Sequence, residues 1–262
     1  MTAPSSDLVA NDLTVEFPAA TRDAPPTVAL DGLSLRVAGG EIVALIGPNG
    51  CGKSTFLRAA AGLLRPQRGV ITLGGDTIAG PDPRIGLVFQ EPRLLPWRSV
   101  AANVAWPLEL AGWDQERVVA RVDELLDLVD LRDAAELRPV QLSGGMRQRA
   151  AIARALALAP EVLLLDEPFS ALDALTRERF NLELLGLQAR TGSTAVVVTH
   201  SIPEAILLAD RVIVLTPRPG RVAAEIRIDA PRPRSLATLD GAIVSEAAAA
   251  IRRHLEVPER AA

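Results

Sequence analysis

The sequence predicts an α/β fold built around a mostly parallel sheet. Short apolar runs such as EIVALIG, EVLLLDEP and STAVVVTH alternate with helical segments, a pattern typical of parallel sheets that are covered on both faces. A glycine-rich loop separates the first of these runs from a helix-forming segment. From 91 to 160 the apolar residues recur at helical spacing, which indicates a helical subdomain set into the α/β core.

The other elements follow from the same patterns. Further strands are predicted as short β-prone runs bounded by turns: LTVEF, TVAL, LSLRV, RGVITLGG and RIGLVFQ. Helices are predicted where apolar residues recur every three or four positions: STFLRAAAGLL, RVVARVDELLDLVDL, GGMRQRAAIARALALA and RERFNLELLGLQAR. RVIVLTPRPGRVAAEIRID predicts two strands joined at a Pro-Gly turn, followed by a linker and a short helix that ends near His254.

Composition limits the function. The 262 residues are 48% hydrophobic and 23% charged, values typical of a globular protein, and the net charge of −4 gives no basic surface for nucleic acid. No apolar run is long enough to span a bilayer, and the first residues lack the features of a signal peptide. We therefore expect a cytoplasmic protein whose membrane attachment, if any, is made through another protein. A single cysteine excludes an intrachain disulfide.

The loop GPNGCGKST fits the phosphate-binding pattern G-x-x-x-x-G-K-[ST] from Gly47 to Ser54. Glycines allow successive backbone N–H groups to converge on phosphate oxygens, and the helix dipole adds to the attraction. Lys53 would reach the β- and γ-phosphates and Ser54 would hold Mg²⁺. The alternative is a plain glycine turn. Lys53 is the only lysine beside 27 arginines, as expected if a compact ammonium fits inside the loop where a broad guanidinium does not.

Two further motifs carry candidate chemistry. In VLLLDEP, Asp166 at the end of a buried strand could reach a Mg²⁺ ion, and Glu167 could orient or deprotonate a water molecule. Read alone, this is a strand that meets solvent. In LSGGMRQ, Ser143 is a good N-cap and the two glycines after it expose helix N–H groups, which makes either a capped helix or an anion site. A second phosphate-binding helix makes sense if it faces a nucleotide held by another copy of the chain.

The order of the motifs resembles the ATP-binding cassette (ABC) ATPases of ABC transporters. GPNGCGKST, Gln90 in VFQ, LSGGM, LLLDEP, SALD and His200 in VVVTHS match that family in sequence and spacing. The resemblance covers about residues 8–230 and implies a P-loop NTPase core with a mostly parallel sheet, an N-terminal antiparallel β subdomain and an inserted helical subdomain at about 91–160. Residues 231–262 would form a C-terminal linker and short helix.

The resemblance also implies roles for individual residues. In the family two cassettes close head to tail, and each ATP lies between the P-loop of one copy and the signature helix of the other. Lys53, Glu167 and His200 would be catalytic, with His200 sensing the γ-phosphate. Mg²⁺ would be held by Ser54, Gln90 and Asp166. ATP would contact Phe17, Gly47, Pro48, Asn49, Gly50, Cys51, Gly52, Lys53, Ser54, Thr55, Gln90, Ser143, Gly144, Gly145 and Asp173.

Two of these assignments have open alternatives. Phe17 would stack on adenine, but a phenylalanine of the core is nearly as well supported, because the 12 residues between it and Leu30 form a loop of unknown path. Cys51 lies near Lys53 at a helix N-terminus, where thiol pKa values fall, which predicts a reactive thiol that ATP protects. Otherwise Cys51 is a small residue that fills the loop.

Within the family, EPRLLPWRSVAANV at 91–104 and TPRPGR at 216–221 resemble importers of nitrate, sulfonates and taurine. Importers of thiamine precursors are also similar. The implied partners are a second ATPase subunit, integral membrane permease subunits and, indirectly, a substrate-binding protein, with the chain peripheral at the cytoplasmic face of the membrane. The segment after Gln90 would receive the permease, and the three tryptophans cluster there: Trp97, Trp106 and Trp113.

The alternatives belong to other classes. Soluble ABC ATPases of DNA repair carry long arms between the P-loop and the signature, whereas 90 residues separate Lys53 from Ser143 here. Translation members carry two cassettes in one chain, and this sequence has one. A P-loop kinase of small metabolites would have no use for LSGGM or His200.

Overall fold

A computed structural model describes residues 7–18, 25–169, 174–232, 234 and 241–255. These residues form ten strands in two sheets. In chain order the strands are β1 (Leu8–Phe17), β2 (Thr27–Val37), β3 (Ile42–Ile46), β4 (Arg68–Leu73), β5 (Asp76–Thr77), β6 (Ile85–Val88), β7 (Val162–Asp166), β8 (Thr194–Val198), β9 (Arg211–Leu215) and β10 (Val222–Arg227).

The larger sheet has the order β10-β9-β3-β8-β7-β6. Its pairs are parallel except for β10 and β9, which form the antiparallel hairpin that the Pro-Gly turn predicted. Every residue of β3, β7 and β8 is buried, as expected for strands covered on both faces. Along β3 the side chains of Ile42, Ala44 and Ile46 enter one core and those of Val43 and Leu45 enter the other. The predicted α/β fold is confirmed.

The smaller sheet is antiparallel with the order β2-β1-β4-β5. TVAL and LSLRV were expected to be separate strands, but they form the single strand β2. Gly32 lies between them at φ 65°, a conformation that glycine adopts without strain, and shifts in register let the pairing with β1 continue past it. The N-terminal strand is also longer than LTVEF, because β1 begins at Leu8.

Helix α1 (Lys53–Ala60) follows the glycine loop after β3. Between β6 and β7 the chain forms α2 (Val100–Leu110), α3 (Gln115–Leu128), α4 (Gly144–Ala155) and two short 3₁₀ turns, whereas residues 91–99 are not helical. The last helices are α5 (Ala174–Thr191), α6 (Ile202–Leu208) and α7 (Gly241–Leu255), the last of which contains His254 as predicted. Among the described residues, no helix is long and apolar enough to cross a bilayer.

Candidate functional site

The glycine loop lies at the carboxyl end of β3 and leads directly into α1. Its last residue, Gly52, is the N-cap of α1 and has φ 103°. A Cβ atom at this position would lie 2.5 Å from Leu30 Cδ2 and 2.8 Å from the carbonyl oxygen of Ala29. Only glycine combines this backbone conformation with this close approach of β2. The strand–loop–helix context of the phosphate-binding pattern is therefore present.

Lys53 lies inside the loop that precedes it. Its Nζ atom donates hydrogen bonds to the carbonyl oxygens of Gly47 at 2.8 Å and Pro48 at 3.1 Å, and the residue is only 6% exposed. An ammonium group has three donors around a compact centre, so it can bond two loop carbonyls and still direct a donor elsewhere. A planar guanidinium is broader and more rigid, and the loop offers it less space.

Ser54 and Asp166 form the next pair of the site. Ser54 Oγ donates a hydrogen bond of 3.0 Å to Asp166 Oδ1 across the gap between α1 and the end of β7. Burial raises the pKa of Asp166, while the Ser54 hydrogen bond acts in the opposite direction. Mg²⁺ in nucleotide sites is typically bound by one or two carboxylates, with phosphates and water as the other ligands. Ser54 and Asp166 fit that role, although the described residues contain no cluster of three or more acidic, histidine or cysteine side chains able to hold a metal.

Glu167 connects two other predicted residues. Its Oε2 atom accepts a hydrogen bond from Gln90 Nε2 at 3.4 Å and lies 3.2 Å from His200 Nδ1. The backbone of Glu167 is left-handed, with φ 44°, and its N–H donates to the carbonyl oxygen of Val198 at 2.9 Å. A non-glycine residue in this region carries about 1–3 kcal/mol of strain, and such residues cluster at functional sites. The sequence gives no sign of this conformation.

Apart from Asp166, these residues line one cleft of about 610 Å³. Asp166 does not line it and is linked to it through the hydrogen bond from Ser54. Ten of its lining residues were predicted from the sequence: Phe17, Asn49, Gly50, Gly52, Lys53, Ser54, Thr55, Gln90, Glu167 and His200. Phe17 is 37% exposed and belongs to the wall of the cleft instead of the core. The wall also contains residues that sequence reasoning missed: Thr27, Ala29 and Arg218.

Comparison with known proteins decides the family. A family profile described as ABC transporter matches residues 30–170, which is more than half of the chain. The chain belongs to the ABC transporter ATPase family. The resemblance seen in the sequence motifs is thereby confirmed.

Relatives of this ABC ATPase include import subunits. It is 52% identical over 205 residues to the aliphatic sulfonates import ATP-binding protein SsuB 2 of Burkholderia cenocepacia. The aligned region covers 78% of this chain and 74% of that protein. It is 48% identical over 221 residues to the taurine import ATP-binding protein TauB of Sinorhizobium fredii, which covers 84% of this chain and 83% of the relative.

Solved structures show the same fold. The dimeric structure of a bacterial ABC transporter cassette superimposes with a TM-score of 0.76 at 33% identity, and covers 86% of this chain and 100% of that one. A dimeric post-hydrolysis state of such a cassette bound to ADP and phosphate gives a TM-score of 0.75 at 32% identity, with the same coverage.

Three residues of the ABC ATPase loop lie behind the cleft wall instead of lining it: Gly47, Pro48 and Cys51. The first two offer their carbonyl oxygens to Lys53. Cys51 is 1% exposed, and burial raises its thiol pKa more than the nearby Lys53 charge lowers it. The expectation of a low thiol pKa was wrong, because it considered the helix N-terminus and the lysine but not the loss of solvent.

The signature residues of the ABC ATPase do not line this cleft. Ser143 is the N-cap of α4, and its hydroxyl accepts a hydrogen bond from the N–H of Met146 at 3.2 Å. Ser143 and Gly144 are exposed, Gly145 is half-buried, and none of the three lines the cleft. Asp173 lies outside the described residues.

Two residues for which the sequence predicted no role, Thr199 and Glu204, stabilise the loop that contains His200. Thr199 Oγ1 donates a hydrogen bond to Glu204 Oε2, and the N–H of Ser201 donates to Thr199 Oγ1 at 3.0 Å. Glu204 is 7% exposed, and burial raises its pKa although the Thr199 bond opposes the shift. Spacing alone does not reveal this contact, because Glu204 reads as an ordinary first-turn carboxylate of α6.

Proposed function

We propose that this chain is the ATP-hydrolysing subunit of an ABC importer. The observation that carries the proposal is the convergence of Lys53, Ser54 and the Glu167–His200 contact on one cleft, with Asp166 hydrogen-bonded to Ser54. The family supplies ATP as the nucleotide and hydrolysis as the reaction. Close relatives whose names describe import subunits favour an importer over a soluble ABC ATPase.

The side chains have distinct tasks in this proposal. Lys53 exchanges its bonds to the Gly47 and Pro48 carbonyls for bonds to the β- and γ-phosphates. Phe17 stacks on adenine from its position in the wall. Glu167 accepts a proton from the attacking water, and its contact with His200 sets where both side chains point.

A magnesium ion fits the same cleft. Ser54 and Asp166 supply a hydroxyl and a carboxylate oxygen 3.0 Å apart, and Gln90 could add an amide oxygen. When bound, Mg²⁺ neutralises charge that develops on the phosphates. The ion would favour the ionised form of Asp166 over the neutral form that burial favours.

A second copy of the chain completes the site. Ser143, Gly144 and Gly145 present the N-terminus of α4 to solvent and do not reach the cleft of their own chain. A helix N-terminus favours an anion, so the γ-phosphate held by a partner copy is a suitable ligand. We propose a head-to-tail homodimer in which each nucleotide lies between the cleft of one copy and the start of α4 of the other.

A groove beside the helical subdomain suits a membrane partner. It has a volume of about 320 Å³ and is mostly apolar, with Ile85, Leu87, Phe89, Leu95, Trp106 and Pro107 among its lining. Trp97, two residues after Leu95 in the chain, is 69% exposed. Trp113, in contrast, is half-buried, packs against the large core and lies under the Arg117 guanidinium. We propose that the groove and Trp97 receive a permease subunit at the cytoplasmic face of the membrane, while Trp113 has a packing role.

The domain boundaries are also part of the proposal. Residues 8–230 would form the nucleotide-binding domain, with the helical subdomain at about 91–160, and residues 231–262 would be an appendage. Within that appendage, Ala247, Ala248 and Ile251 of α7 are buried in the large core. The buried Arg234 guanidinium donates to the carbonyl oxygens of Ala209, Ile228 and Ala230. The described residues of the appendage are therefore packed against the nucleotide-binding domain.

The transported substrate is proposed to be a small anion such as an alkanesulfonate, taurine or nitrate. The names of the relatives support the first two. A pyrimidine precursor of thiamine is the alternative. In a strain that lacks this gene, growth on taurine or alkanesulfonates as sole sulfur source, on nitrate as sole nitrogen source, or on a thiamine precursor should be lost selectively for the true substrate.

Glu167→Gln tests the catalytic part of the proposal. The amide cannot accept the proton of water, so ATP should bind with normal affinity while kcat falls by about 10²–10⁴-fold, the usual contribution of a general base. Size-exclusion chromatography with ATP should show accumulation of the closed dimer. Hydrolysis by the variant at the wild-type rate would remove Glu167 from the mechanism. Failure to copurify with any integral membrane protein would favour a soluble ATPase.

A further inference from the structure

The turn at 216–221, TPRPGR, is a rigid element of the nucleotide cleft. Thr216 Oγ1 donates to the carbonyl oxygen of Pro219 at 2.8 Å and accepts from the N–H of Arg221 at 3.0 Å. The N–H of Gly220 donates to the carbonyl oxygen of Ala29 at 2.9 Å, and Arg221 forms an ion pair with Asp31. The turn is thus fixed both within itself and to β2.

The turn also contacts the phosphate loop at two points. Arg218 Nε donates a hydrogen bond of 3.1 Å to the carbonyl oxygen of Gly50. A Cβ atom on Gly220 would lie only 2.0 Å from the carbonyl oxygen of Cys51, so the glycine backbone packs directly against the loop. The cause is topological: β9 pairs in parallel with β3, so the turn after β9 and the loop after β3 emerge side by side.

The two permanent positive charges of the cleft wall differ in how accessible they are to a ligand. The permanent cations that line the cleft are Lys53 and Arg218. Lys53 is buried and its ammonium bonds two carbonyl groups of the loop, whereas Arg218 is exposed. The Nε atom of Arg218 is bonded to Gly50, and no described residue accepts a hydrogen bond from its two terminal nitrogens. The two terminal nitrogens of Arg218 belong to a side chain that lines the cleft and contacts the phosphate loop at Gly50.

We propose that Arg218 binds the phosphate chain of the nucleotide. The inference rests on the proposed ATP site and adds a binding residue from a turn outside the phosphate loop. A guanidinium forms paired, charge-assisted hydrogen bonds with phosphate oxygens, and the Gly50 contact holds that fork at the loop expected to surround the phosphates. In this proposal Lys53 binds phosphate from its buried position inside the loop, and Arg218 binds phosphate from its exposed position in the cleft wall.

The test measures nucleotide binding by calorimetry in a Glu167→Gln background, which removes turnover. Arg218→Gln should weaken ATP and ADP binding by about tenfold or more, the effect of losing one charge-assisted hydrogen bond. Arg218→Lys, which keeps the charge without the fork, should bind with intermediate affinity. Adenosine, added as a competitor, should bind equally well to all variants because it has no phosphates.

Arg221→Gln is the matched control. It removes an arginine from the same turn but outside the cleft lining, so nucleotide affinity should not change. Thermal unfolding without nucleotide should give similar midpoints for the Arg218 variants and their parent, since Arg218 is exposed.

Three results would overturn the assignment. ATP affinity within about twofold of the parent in Arg218→Gln would show that the guanidinium binds no phosphate. A loss of ATP affinity in Arg221→Gln as large as that in Arg218→Gln would show that the integrity of the turn matters instead of the Arg218 guanidinium. A parallel loss of adenosine affinity would place Arg218 at the nucleoside. If the parent itself binds no ATP, the proposed function fails first, and that outcome is distinct from all three.

Discussion

Helices α1 and α4 both begin at glycine-containing loops, yet their N-termini are treated in opposite ways. The N-cap of α1 is Gly52, which has no side chain and makes no capping bond. The N-cap of α4 is Ser143, whose hydroxyl accepts a bond from the first turn of its own helix. The start of α1 faces a cleft lined by Gln90, Glu167 and His200 of the same chain, whereas the start of α4 is exposed.

In the proposed function, this difference corresponds to two roles for one kind of element. Free N–H groups at a helix N-terminus attract anions in both cases. At α1 the chain adds a lysine, a hydroxyl and carboxylates, the groups to which the proposed function assigns nucleotide binding and hydrolysis. At α4 it adds only the cap and glycines, to which the proposed function assigns contact with a phosphate held by the partner copy. Substitutions at the start of α1 are therefore expected to impair ATP hydrolysis, and substitutions at the start of α4 to impair dimerisation.

The largest effect is expected at α1 from Lys53→Arg. Charge is conserved, but the guanidinium does not fit between the loop and the phosphates, so kcat/KM for ATP should fall by about 10²-fold or more. Steady-state ATPase assays measure this. Arg65→Lys, the reverse exchange in the exposed segment after α1, should leave hydrolysis unchanged. Full activity in Lys53→Arg would mean that the only lysine is at this position by coincidence.

At α4, Ser143→Arg should separate binding from assembly. In the Glu167→Gln background the variant should bind ATP with normal affinity, because Ser143 does not line the cleft of its own chain. It should nevertheless remain monomeric on size-exclusion chromatography with ATP. Leu110→Arg, which adds the same charge at an exposed site of the helical region, should still dimerise. A dimer of Ser143→Arg, or a loss of its ATP affinity, would contradict the division between the two helix ends.

The smallest effect concerns the reactivity of Cys51 near the start of α1. Its raised pKa leaves less thiolate at any given pH than in free cysteine, and burial blocks access. Alkylation by iodoacetamide at pH 7 should therefore be at least about tenfold slower than for free cysteine, and its rate should rise with pH around a midpoint above that of free cysteine. Urea should abolish the difference. Rapid alkylation of the folded protein would mean that the helix and Lys53 activate the thiol after all.

The sequence predicted the α/β fold and the main strands because apolar runs and glycine punctuation are local signals. It also predicted that Lys53, Ser54, Asp166 and Glu167 would meet, since the carboxyl ends of parallel strands share one edge of the sheet. The strand order was not predicted. Without it, nothing showed that the turn carrying Arg218 lies beside the phosphate loop, and Arg218 was missed.

Other features of the structure depend on contacts between residues that are distant in the chain, and the spacing of residues in the sequence does not reveal these contacts. The left-handed backbone of Glu167 requires surroundings that outweigh its strain, and these exist only once β7 and β8 are paired. The raised pKa of Cys51 reflects burial by residues distant in sequence. The continuity of β2 through Gly32 depends on pairing with β1, which a turn signal alone cannot reveal.

The position of Lys53 has a practical consequence for chemical labelling. Because it is the only lysine, every side-chain amine signal from this protein reports on the interior of the phosphate loop. Acylating reagents will find that amine shielded, at 6% exposure and bonded to Gly47 and Pro48. Growth with ¹³C- or ¹⁵N-labelled lysine, followed by NMR, would instead place one isotopic probe at the site, without mutation and without any background from other lysines.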